Sequence, residues 1–427
     1  MNVPNLEKEI GIEVYATKSL GIHGQLRQFP EDFKVEEILL NGSKAQIEPD
    51  IVPQIGENGR YLVCVLVKRN CDNLIAIQKI AKTLGVNPER IQIAGIKDAR
   101  AITAQHISIG RMRPEQVTQT KLDNLKLYPL YFSNEKIHSN ILFGNQFHIA
   151  VRAINNTSLK ILNRLESVHN ELLELGGCPN FFGHQRFGTI RSVTHLVGKH
   201  IILGEWEEAA LTFLTKPSLY EHPESRKARE QLWNTRDFKK ALGYFPFRLL
   251  YERQMLDHLA KRPRDFASAF NRLPNKLCQL FIQAYQAYLF NKFLSERTKR
   301  GLTLKQARSS EYRLLIASKE NLALPLIGYQ QSFSSDEQGE IEKQVLEKEG
   351  VTPQDFKISL IPAISAPGRL RAALTPLIDL NVGKLTKDIA NSNKKLVNLK
   401  FILRKGSYAT IILREFMKPT NPIKAGF

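Results

Sequence analysis

An aspartate between two cations is the first feature of this sequence that could carry out a reaction. Lys97, Asp98 and Arg100 lie close together, and Asp98 follows a glycine and an apolar stretch. Nearby positive charges favour the ionised carboxylate, and an ionised carboxylate can act as a nucleophile. A solvated surface ion pair is the commoner explanation of an isolated Lys-Asp-x-Arg cluster. Other features of the sequence are therefore needed to choose between a nucleophile and a surface ion pair.

Two predicted strands place Asp98 in a connection between them. Apolar residues at Ile91, Ile93 and Ile96 indicate a short strand. The alternation of apolar and polar residues over 103–109 indicates a second one. Asp98 lies between the two, where a side chain on a turn can meet a substrate.

The charge balance predicts a polyanionic partner. The chain has 427 residues, with 61 Lys and Arg against 42 Asp and Glu and a formal net charge of +19. Such a charge attracts nucleic acid and makes the binding sensitive to salt. An acidic membrane surface is the competing partner, but no apolar run approaches the roughly 20 residues of a membrane span, and the N-terminal residues lack the apolar core of a signal peptide. We therefore expect a globular protein that binds nucleic acid in the cytoplasm and does not bind a membrane.

The cysteines and histidines do not follow the spacing of a metal site. The four cysteines are scattered without a Cys-x-x-Cys pair, and the ten histidines form no His-x-x-x-His or His-Glu-x-x-His pattern. The phosphate loop Gly-x-x-x-x-Gly-Lys-Ser/Thr does not occur either. The sequence therefore predicts reduced thiols, no metal and no nucleotide cofactor.

Two stretches of the chain combine a predicted strand with a predicted helix. The apolar stretch 61–67 and the alternating stretch 147–151 indicate the strands. The helices that follow are predicted from apolar residues at helical spacing: Leu74, Ile77, Ala81 and Leu84 in the first, and Leu159, Leu162, Leu165 and Leu172 in the second. Asp72 or Asn73 would cap the first helix, and a glycine follows each of them.

The pattern changes between about 206 and 377. This stretch includes a predicted helix over 276–297, and the polar run 331–339 is typical of an exposed loop or a flexible connection. Strand alternation returns at 397–403. Ser407 is then in position to cap a further helix.

Several sequence blocks together resemble the TruD family of RNA pseudouridine synthases. The signature Gly-x-Lys-Asp-x-x-Ala-x-Thr-x-Gln is complete at 95–105, and the block Asn-x-Phe-Gly-x-Gln-Arg-Phe-Gly is complete at 180–188. Further matching stretches are 30–37, 406–410 and 413–415. The resemblance spans almost the whole chain. The residues at 68–70 and 194–198 are more similar to the archaeal branch of the family than to the bacterial one.

The resemblance implies an α+β fold. The family has a pseudouridine synthase catalytic domain with a mixed, mainly antiparallel sheet, and an inserted α/β TRUD domain. On this chain we expect the first part of the catalytic domain at 1–205, the inserted domain at 206–377 and the closing part of the catalytic domain at 378–427.

The resemblance also assigns the carboxylate chemistry. Asp98 matches the position of the family's nucleophile, and this match outweighs the interpretation as a surface ion pair. Arg27 matches a basic residue that the family places near the aspartate, where it would keep the carboxylate ionised. An exposed surface arginine is the alternative interpretation of Arg27.

Four residues are expected to contact the substrate. A base cannot be turned inside a stack, so the uridine must be extruded and covered by an apolar ring, for which Phe182 is the candidate. Asn180 would read a uracil edge or orient its loop, with neither role favoured. Phe33 and Tyr408 match positions of substrate contact in the family, although bacterial members often have phenylalanine where this chain has Tyr408. The neighbouring residues Phe181 and Phe187 are expected in the core.

Four basic residues are candidates for contacts with RNA phosphates, although a solvated surface position is the default for any of them. They are Lys97, Arg186, Arg369 and Arg371.

The resemblance predicts that the chain isomerises uridine to pseudouridine in tRNA, with position 13 in the D-arm as the expected target. Other RNAs are possible substrates, and no protein partner is required. A non-catalytic RNA-binding or tRNA-folding protein on the same scaffold is the alternative, and the intact Asp98 motif argues against it. A metal-dependent nuclease is disfavoured because the sequence lacks clustered carboxylates or histidines.

Overall fold

The computed structural model describes residues 2–49, 59–316 and 318–427. Its strands and helices are numbered separately in chain order. The strands are β1 (Phe33–Leu39), β2 (Tyr61–Arg69), β3 (Ile91–Ile93), β4 (Ile102–Gly110), β5 (Leu125–Ser133), β6 (Leu142–Ile154), β7 (Cys178–Pro179), β8 (Arg313–Ile316), β9 (Lys319–Leu326), β10 (Arg369–Ala372), β11 (Leu374–Thr375), β12 (Ile378–Val382), β13 (Thr386–Lys387) and β14 (Lys395–Arg404). The helices are α1 (Asn5–Lys8), α2 (Asn73–Leu84), α3 (Pro114–Thr118), α4 (Ser158–Leu175), α5 (Thr194–Ile202), α6 (Trp206–Thr215), α7 (Pro223–Thr235), α8 (Phe238–Tyr244), α9 (Leu250–Lys261), α10 (Phe266–Phe270), α11 (Asn275–Lys299), α12 (Glu337–Glu349) and α13 (Ala409–Met417).

A nine-stranded sheet forms the centre of the fold. Its order is β12-β14-β6-β1-β4-β2-β5, with β13 paired to β14 and β3 paired to β4. Strands β1 and β4 run parallel, and the other recorded pairs in this sheet are antiparallel. The α+β class with a mixed, mainly antiparallel sheet is therefore confirmed.

The sheet is built from two separate parts of the chain. Strands β1 to β6 precede α4, and β12 to β14 follow a long, mainly helical stretch that also contains the small sheet β10-β9-β8. The short strands β7 and β11 pair with each other where the chain leaves the sheet region and where it comes back. The predicted domain division at 205 and 377 stays a prediction. Helix α5 lies before residue 206, in the part predicted as catalytic domain, and it packs against α11, which lies in the predicted inserted domain.

One face of the sheet is covered by an apolar core. Along β1, β6 and β14, side chains on alternate positions join the apolar faces of α4 and α13 in a single cluster. The rings of Phe147 and Phe401 stack within it at a centroid distance of 5.5 Å. This packing fixes the strand ends that carry the functional side chains.

Among the described residues, no helix is both long enough and apolar enough to cross a membrane.

The predicted boundaries of α2 and α4 are close to the observed ones. The side chain of Asp72 accepts hydrogen bonds from the backbone of the first turn of α2, and Gly85 ends the helix in the left-handed conformation. Gly176 ends α4 in the same way, with a φ of 78°. Local signals of this kind depend on adjacent residues, so they can be read directly from the sequence.

The predicted apolar stripe of α4 is partly wrong. Leu159 is 70% exposed. Leu162 is about half exposed, at 46%. The buried face consists of Ile161, Leu165, Val168 and Leu172. These positions follow helical spacing of three and four residues, and the leucines at 159 and 162 lie beside that face.

Two predictions for connecting segments are corrected. Ser407 does not cap α13, because Tyr408 occupies the N-cap position and the Ser407 hydroxyl forms a hydrogen bond of 2.8 Å with Thr375 instead. The run 331–339 is not wholly exposed, since Ser334 is buried in it. The last residues of this run already belong to α12, which Asp336 caps through its side chain.

Candidate active site

Asp98 lies in the loop between β3 and β4, at the end of the sheet where β1 also begins. Its Oδ1 atom is 3.3 Å from Nη2 of Arg27 and accepts a hydrogen bond of 3.1 Å from Nε2 of Gln185. The side chain keeps 29% of its surface exposed. The carboxylate is therefore oriented by two donors and is still open to a substrate.

Arg27 is held in place from three sides. Its Nη1 atom donates a 2.6 Å hydrogen bond to the carbonyl oxygen of Gly426, and its guanidinium lies 3.9 Å from the ring centroid of Phe33. Its backbone has a φ of 54°, a conformation that non-glycine residues rarely adopt. Burial lowers the pKa of Arg27, and the charge of Asp98 opposes this effect. The expected partnership of Arg27 with Asp98 is thus present in the geometry, whereas Lys97 points elsewhere.

Lys68 fixes the backbone of the Asp98 loop. This fully buried side chain at the end of β2 donates hydrogen bonds to the carbonyl oxygens of Cys71 (2.8 Å), Lys97 (3.4 Å) and Asp98. Burial lowers the pKa of Lys68 to about 8. Sequence reasoning gave this residue no role, although a lysine that ends an apolar strand was a visible signal.

Lys97 is not placed as a phosphate contact. Its ammonium pairs with the carboxylate of Glu37, and both side chains are buried. The other oxygen of Glu37 accepts a 2.9 Å hydrogen bond from the backbone of His106. Burial alone would raise the pKa of Glu37, but the bonds from His106 and Lys97 lower it. The Lys97 ammonium is thus paired inside the protein, and this corrects the expectation that it contacts an RNA phosphate.

Asn180 and Arg371 connect the segment after β7 with strand β10 and with the loop at Gly406. Nδ2 of Asn180 donates to the carbonyl oxygen of Ala372 at 3.1 Å, and Oδ1 accepts from Nη2 of Arg371 at 2.7 Å. Arg371 also donates to the carbonyl oxygen of Gly406 at 2.9 Å. Burial lowers the pKa of Arg371 to about 10. Both side chains are occupied, which favours loop orientation for Asn180 and disfavours a phosphate contact for Arg371.

Phe182 is packed inside the protein. It is 3% exposed, and its ring contacts Phe290 and Tyr408 edge-on at centroid distances of 5.6 and 5.9 Å. The guanidinium of Arg371 lies 4.0 Å from the centroid of the same ring. A stacking role for Phe182 would thus require these contacts to open. Phe181 and Phe187 are buried as expected.

A cavity of about 240 Å³ lies beside Asp98. At roughly 30 Å³ for each water molecule, it has room for about eight of them. Among the residues expected at the site, those that line it are Phe33, Lys97, Asp98 and Tyr408. Asn145 and Gln185 also line the cavity, and the sequence assigned neither of them a role. Lys405, from the basic stretch near the end of the chain, lines it as well. Gln185 was visible in the second motif, where its role was left open.

Positive charge lies next to this cavity. Arg369 is exposed on β10, and the guanidinium of Arg186 lies 5.4 Å from the ring centroid of Phe182. Partial desolvation of its guanidinium lowers the pKa of Arg369, and the nearby charge of Arg186 adds to this effect. Like charges that influence each other in this way can be stabilised by a bound anion.

Metal-ligating side chains are not grouped in the part of the chain that the structure describes. No set of three or more histidine, cysteine, aspartate or glutamate side chains lies close enough together there to hold an ion. The four cysteines are buried and unpaired. At the site itself, a guanidinium from Arg27 and an amide from Gln185 donate to the carboxylate of Asp98.

Comparison with known proteins identifies the family. The sequence model described as tRNA pseudouridine synthase D (TruD) matches residues 9–319 and 306–416. A curated relative from Methanosarcina barkeri, named tRNA pseudouridine synthase D, is 37% identical over 98% of this chain and 98% of its own. A relative of the same name from Methanopyrus kandleri is 38% identical over 86% of this chain and 88% of its own.

A solved structure leads to the same family. The crystal structure of a tRNA pseudouridine synthase D from Methanosarcina mazei is 36% identical, superposes with a TM-score of 0.84, and covers 99% of this chain and 100% of its own. Sequence and fold therefore agree over nearly the full length. The chain belongs to the TruD family of tRNA pseudouridine synthases.

Proposed function

We propose that this protein isomerises uridine to pseudouridine in tRNA, with Asp98 as the nucleophile. The observation that carries the proposal is the position of the Asp98 carboxylate. It is ordered by Arg27 and Gln185, partly exposed, and beside a cavity of about 240 Å³. A protein that only bound RNA would need basic and aromatic residues but no carboxylate held in this way.

The reaction rearranges bonds within one nucleotide. The bond between ribose C1′ and uracil N1 breaks, the base turns, and a bond forms between C1′ and C5. C5 loses its proton and N1 gains one, so the atoms balance without a co-reactant. A covalent link to Asp98, at the ribose or at the pyrimidine ring, keeps the two parts together while the base turns.

The other residues support this carboxylate. Arg27 compensates its charge, and Phe33 and Tyr408 form cavity walls against which an extruded base would lie. Arg186 and Arg369 are the remaining candidates for contacts with RNA phosphates. We propose that Asn180 and Phe182 act near the substrate by holding the shape of the loop that contains them.

Uridine 13 of tRNA is the proposed target, since it is the usual substrate of the family that this chain resembles. Other RNAs are proposed as additional substrates. We propose that the reaction requires no metal, cofactor or protein partner, and that it takes place in the cytoplasm. The chain division 1–205, 206–377 and 378–427 is proposed as the domain organisation.

The test is a reaction with unmodified tRNA transcript in EDTA, followed by mapping of pseudouridine. Wild-type protein should modify position 13, and Asp98→Asn should form no product while it binds the same tRNA with similar affinity. Binding without product by the wild-type protein would favour the non-catalytic alternative. Normal product formation by Asp98→Asn, with deamidation excluded, would remove Asp98 from the nucleophile role.

A further inference from the structure

Asn145 has a buried polar atom that lacks a partner at the wall of the active cavity. Its Oδ1 atom is shielded from solvent and forms no hydrogen bond with any residue that the structure describes. Of the described residues with such an atom, Asn145 is the one that lines the cavity beside Asp98. Leaving a buried acceptor unpaired costs about 1 to 3 kcal/mol, so such a group calls for an explanation.

The position of Asn145 is rigid. It lies within β6, opposite Glu37 on β1 and opposite Leu403 on β14. Its neighbour at the second position along the strand, Phe147, lines the same cavity. A side chain on the middle strand of three is placed more accurately than one on a loop. The strand therefore presents a fixed amide next to the place where a base would enter.

The other asparagine near the site cannot take this role as it stands. Both ends of the Asn180 amide already have protein partners, Ala372 and Arg371. Asn145 offers the same acceptor and donor, and its acceptor is unused. The terminal torsion of asparagine is broad, so rotation about it can exchange the positions of Oδ1 and Nδ2.

We propose that Asn145 holds the polar edge of the extruded uracil and serves as its pivot during the reaction. This inference rests on the proposed function. Uracil presents N3–H between two carbonyl oxygens, O2 and O4, so Oδ1 of Asn145 would accept from N3–H while Nδ2 donates to a flanking oxygen.

The geometry of the isomerisation makes N3–H the natural group to hold. Replacing N1 by C5 at the sugar requires a half-turn of the base about the axis through N3 and C6. This turn exchanges O2 with O4 and leaves N3–H where it was. One fixed acceptor can thus keep its hydrogen bond before and after the turn, and the donor meets an equivalent oxygen in both states.

The first arm of the test measures turnover. Asn145→Ala should lower the single-turnover rate at saturating enzyme by roughly tenfold to a hundredfold, because two hydrogen bonds to the base are lost. Asn398→Ala is the matched control, since Asn398 is exposed on the adjacent strand β14. It should change the rate by less than about twofold. An unchanged rate for Asn145→Ala would overturn the proposal.

The second arm asks whether Asn145 acts through N3–H of the base. Equilibrium binding is measured in the Asp98→Asn background, with tRNA that carries uridine or 3-deazauridine at the target position. In 3-deazauridine C–H replaces N3–H and the oxygen at C4 becomes a hydroxyl, so the comparison tests recognition of this polar edge. The 3-deaza change should weaken binding about tenfold with Asn145 and by less than about twofold with Asn145→Ala. Equal effects in both proteins would mean that Asn145 acts only through the fold, and would overturn the proposal.

The two arms separate this inference from the proposed function. Wild-type protein that forms no pseudouridine would refute the isomerase activity and with it the pivot. The binding arm would still report whether Asn145 contacts the base. If the wild type forms pseudouridine normally and the 3-deaza change weakens binding equally with Asn145 and with Asn145→Ala, the Asn145 inference alone is refuted.

Discussion

The ammonium of Lys68 donates a hydrogen bond to the backbone carbonyl of Asp98. Two further bonds from the same ammonium, to the carbonyls of Cys71 and Lys97, use all three of its donors. The Asp98 loop is therefore fixed through its backbone, and the carboxylate is left to Arg27 and Gln185. Positioning of the loop and orientation of the carboxylate are carried by different residues.

Replacing Lys68 by methionine should reduce turnover without weakening RNA capture. The apolar side chain fits a buried position but leaves three carbonyl oxygens without a donor, so the loop should lose its fixed geometry. We expect a single-turnover rate roughly tenfold to a hundredfold lower and tRNA affinity within about twofold. Lys82→Met on the exposed surface of α2 is the control. A full rate for Lys68→Met would contradict the positioning role.

Activity and stability should respond in opposite directions to alkaline pH. The pKa of Lys68 is lowered from 10.5 to about 8 by burial, so the folded protein releases this proton near pH 8 while the unfolded chain keeps it until about pH 10.5. Between these values the unfolded state holds more protons, so the contribution of this group to the free energy of unfolding rises with pH. The single-turnover rate should fall over the same range, because the neutral amine has one donor fewer.

Single-turnover rates and urea unfolding measured from pH 7 to pH 10 would test this prediction. Lys68→Met should lack the alkaline fall in rate and the associated rise in stability. A wild-type rate that stays constant through pH 9 would exclude Lys68 as the titrating group.

Arg27→Lys should be strongly impaired although it conserves the charge. A lysine has no planar fork, so it cannot contact Asp98, the Gly426 carbonyl and the Phe33 ring together as Arg27 does. We expect the single-turnover rate to fall about tenfold with little change in tRNA affinity. Arg100→Lys, at an exposed position two residues after Asp98, should behave like the wild type. A wild-type rate for Arg27→Lys would show that positive charge at this position is sufficient and that the planar guanidinium is not needed.

Phe182→Ala should lower stability more than it lowers the intrinsic rate. The ring is buried against Phe290, Tyr408 and Arg371, and removal of a buried phenylalanine ring costs about 3 to 5 kcal/mol. Phe182→Leu restores most of the apolar volume but cannot stack on a base. Normal turnover of the folded Phe182→Leu protein would therefore support a packing role. A stable Phe182→Leu protein with a greatly reduced rate would instead support the stacking role.

Salt should affect capture of RNA and leave the chemical step nearly unchanged. The net charge of +19 predicts that affinity for tRNA falls steeply between about 50 and 200 mM salt. The ion pair between Arg27 and Asp98 is screened much less, since the Arg27 side chain is only 7% exposed. Filter binding and single-turnover rates at saturating enzyme would separate the two effects. A rate that collapses with salt at constant affinity would place a screened charge interaction at the centre of catalysis.

The sequence by itself determined the family, the fold class and the nucleophile candidate. The motif around Asp98 and the block at 180–188 are contiguous, so their residue types and spacing can be recognised without coordinates. The ends of α2 follow from Asp72 and Gly85 for the same reason, because a cap acts on residues within one turn.

Only the tertiary structure decided what each polar side chain near the site contacts. Lys97 pairs with Glu37, which is 60 positions away, and Asn180 bonds with Arg371, which is 191 positions away. Lys68, which the sequence left without a role, reaches the backbone of Asp98 30 positions on. Burial and hydrogen-bond partners depend on which distant segments the sheet brings together. The motif therefore predicts that an aspartate acts, and the fold determines which lysine bonds to its loop and which asparagine keeps an unpaired acceptor beside the cavity.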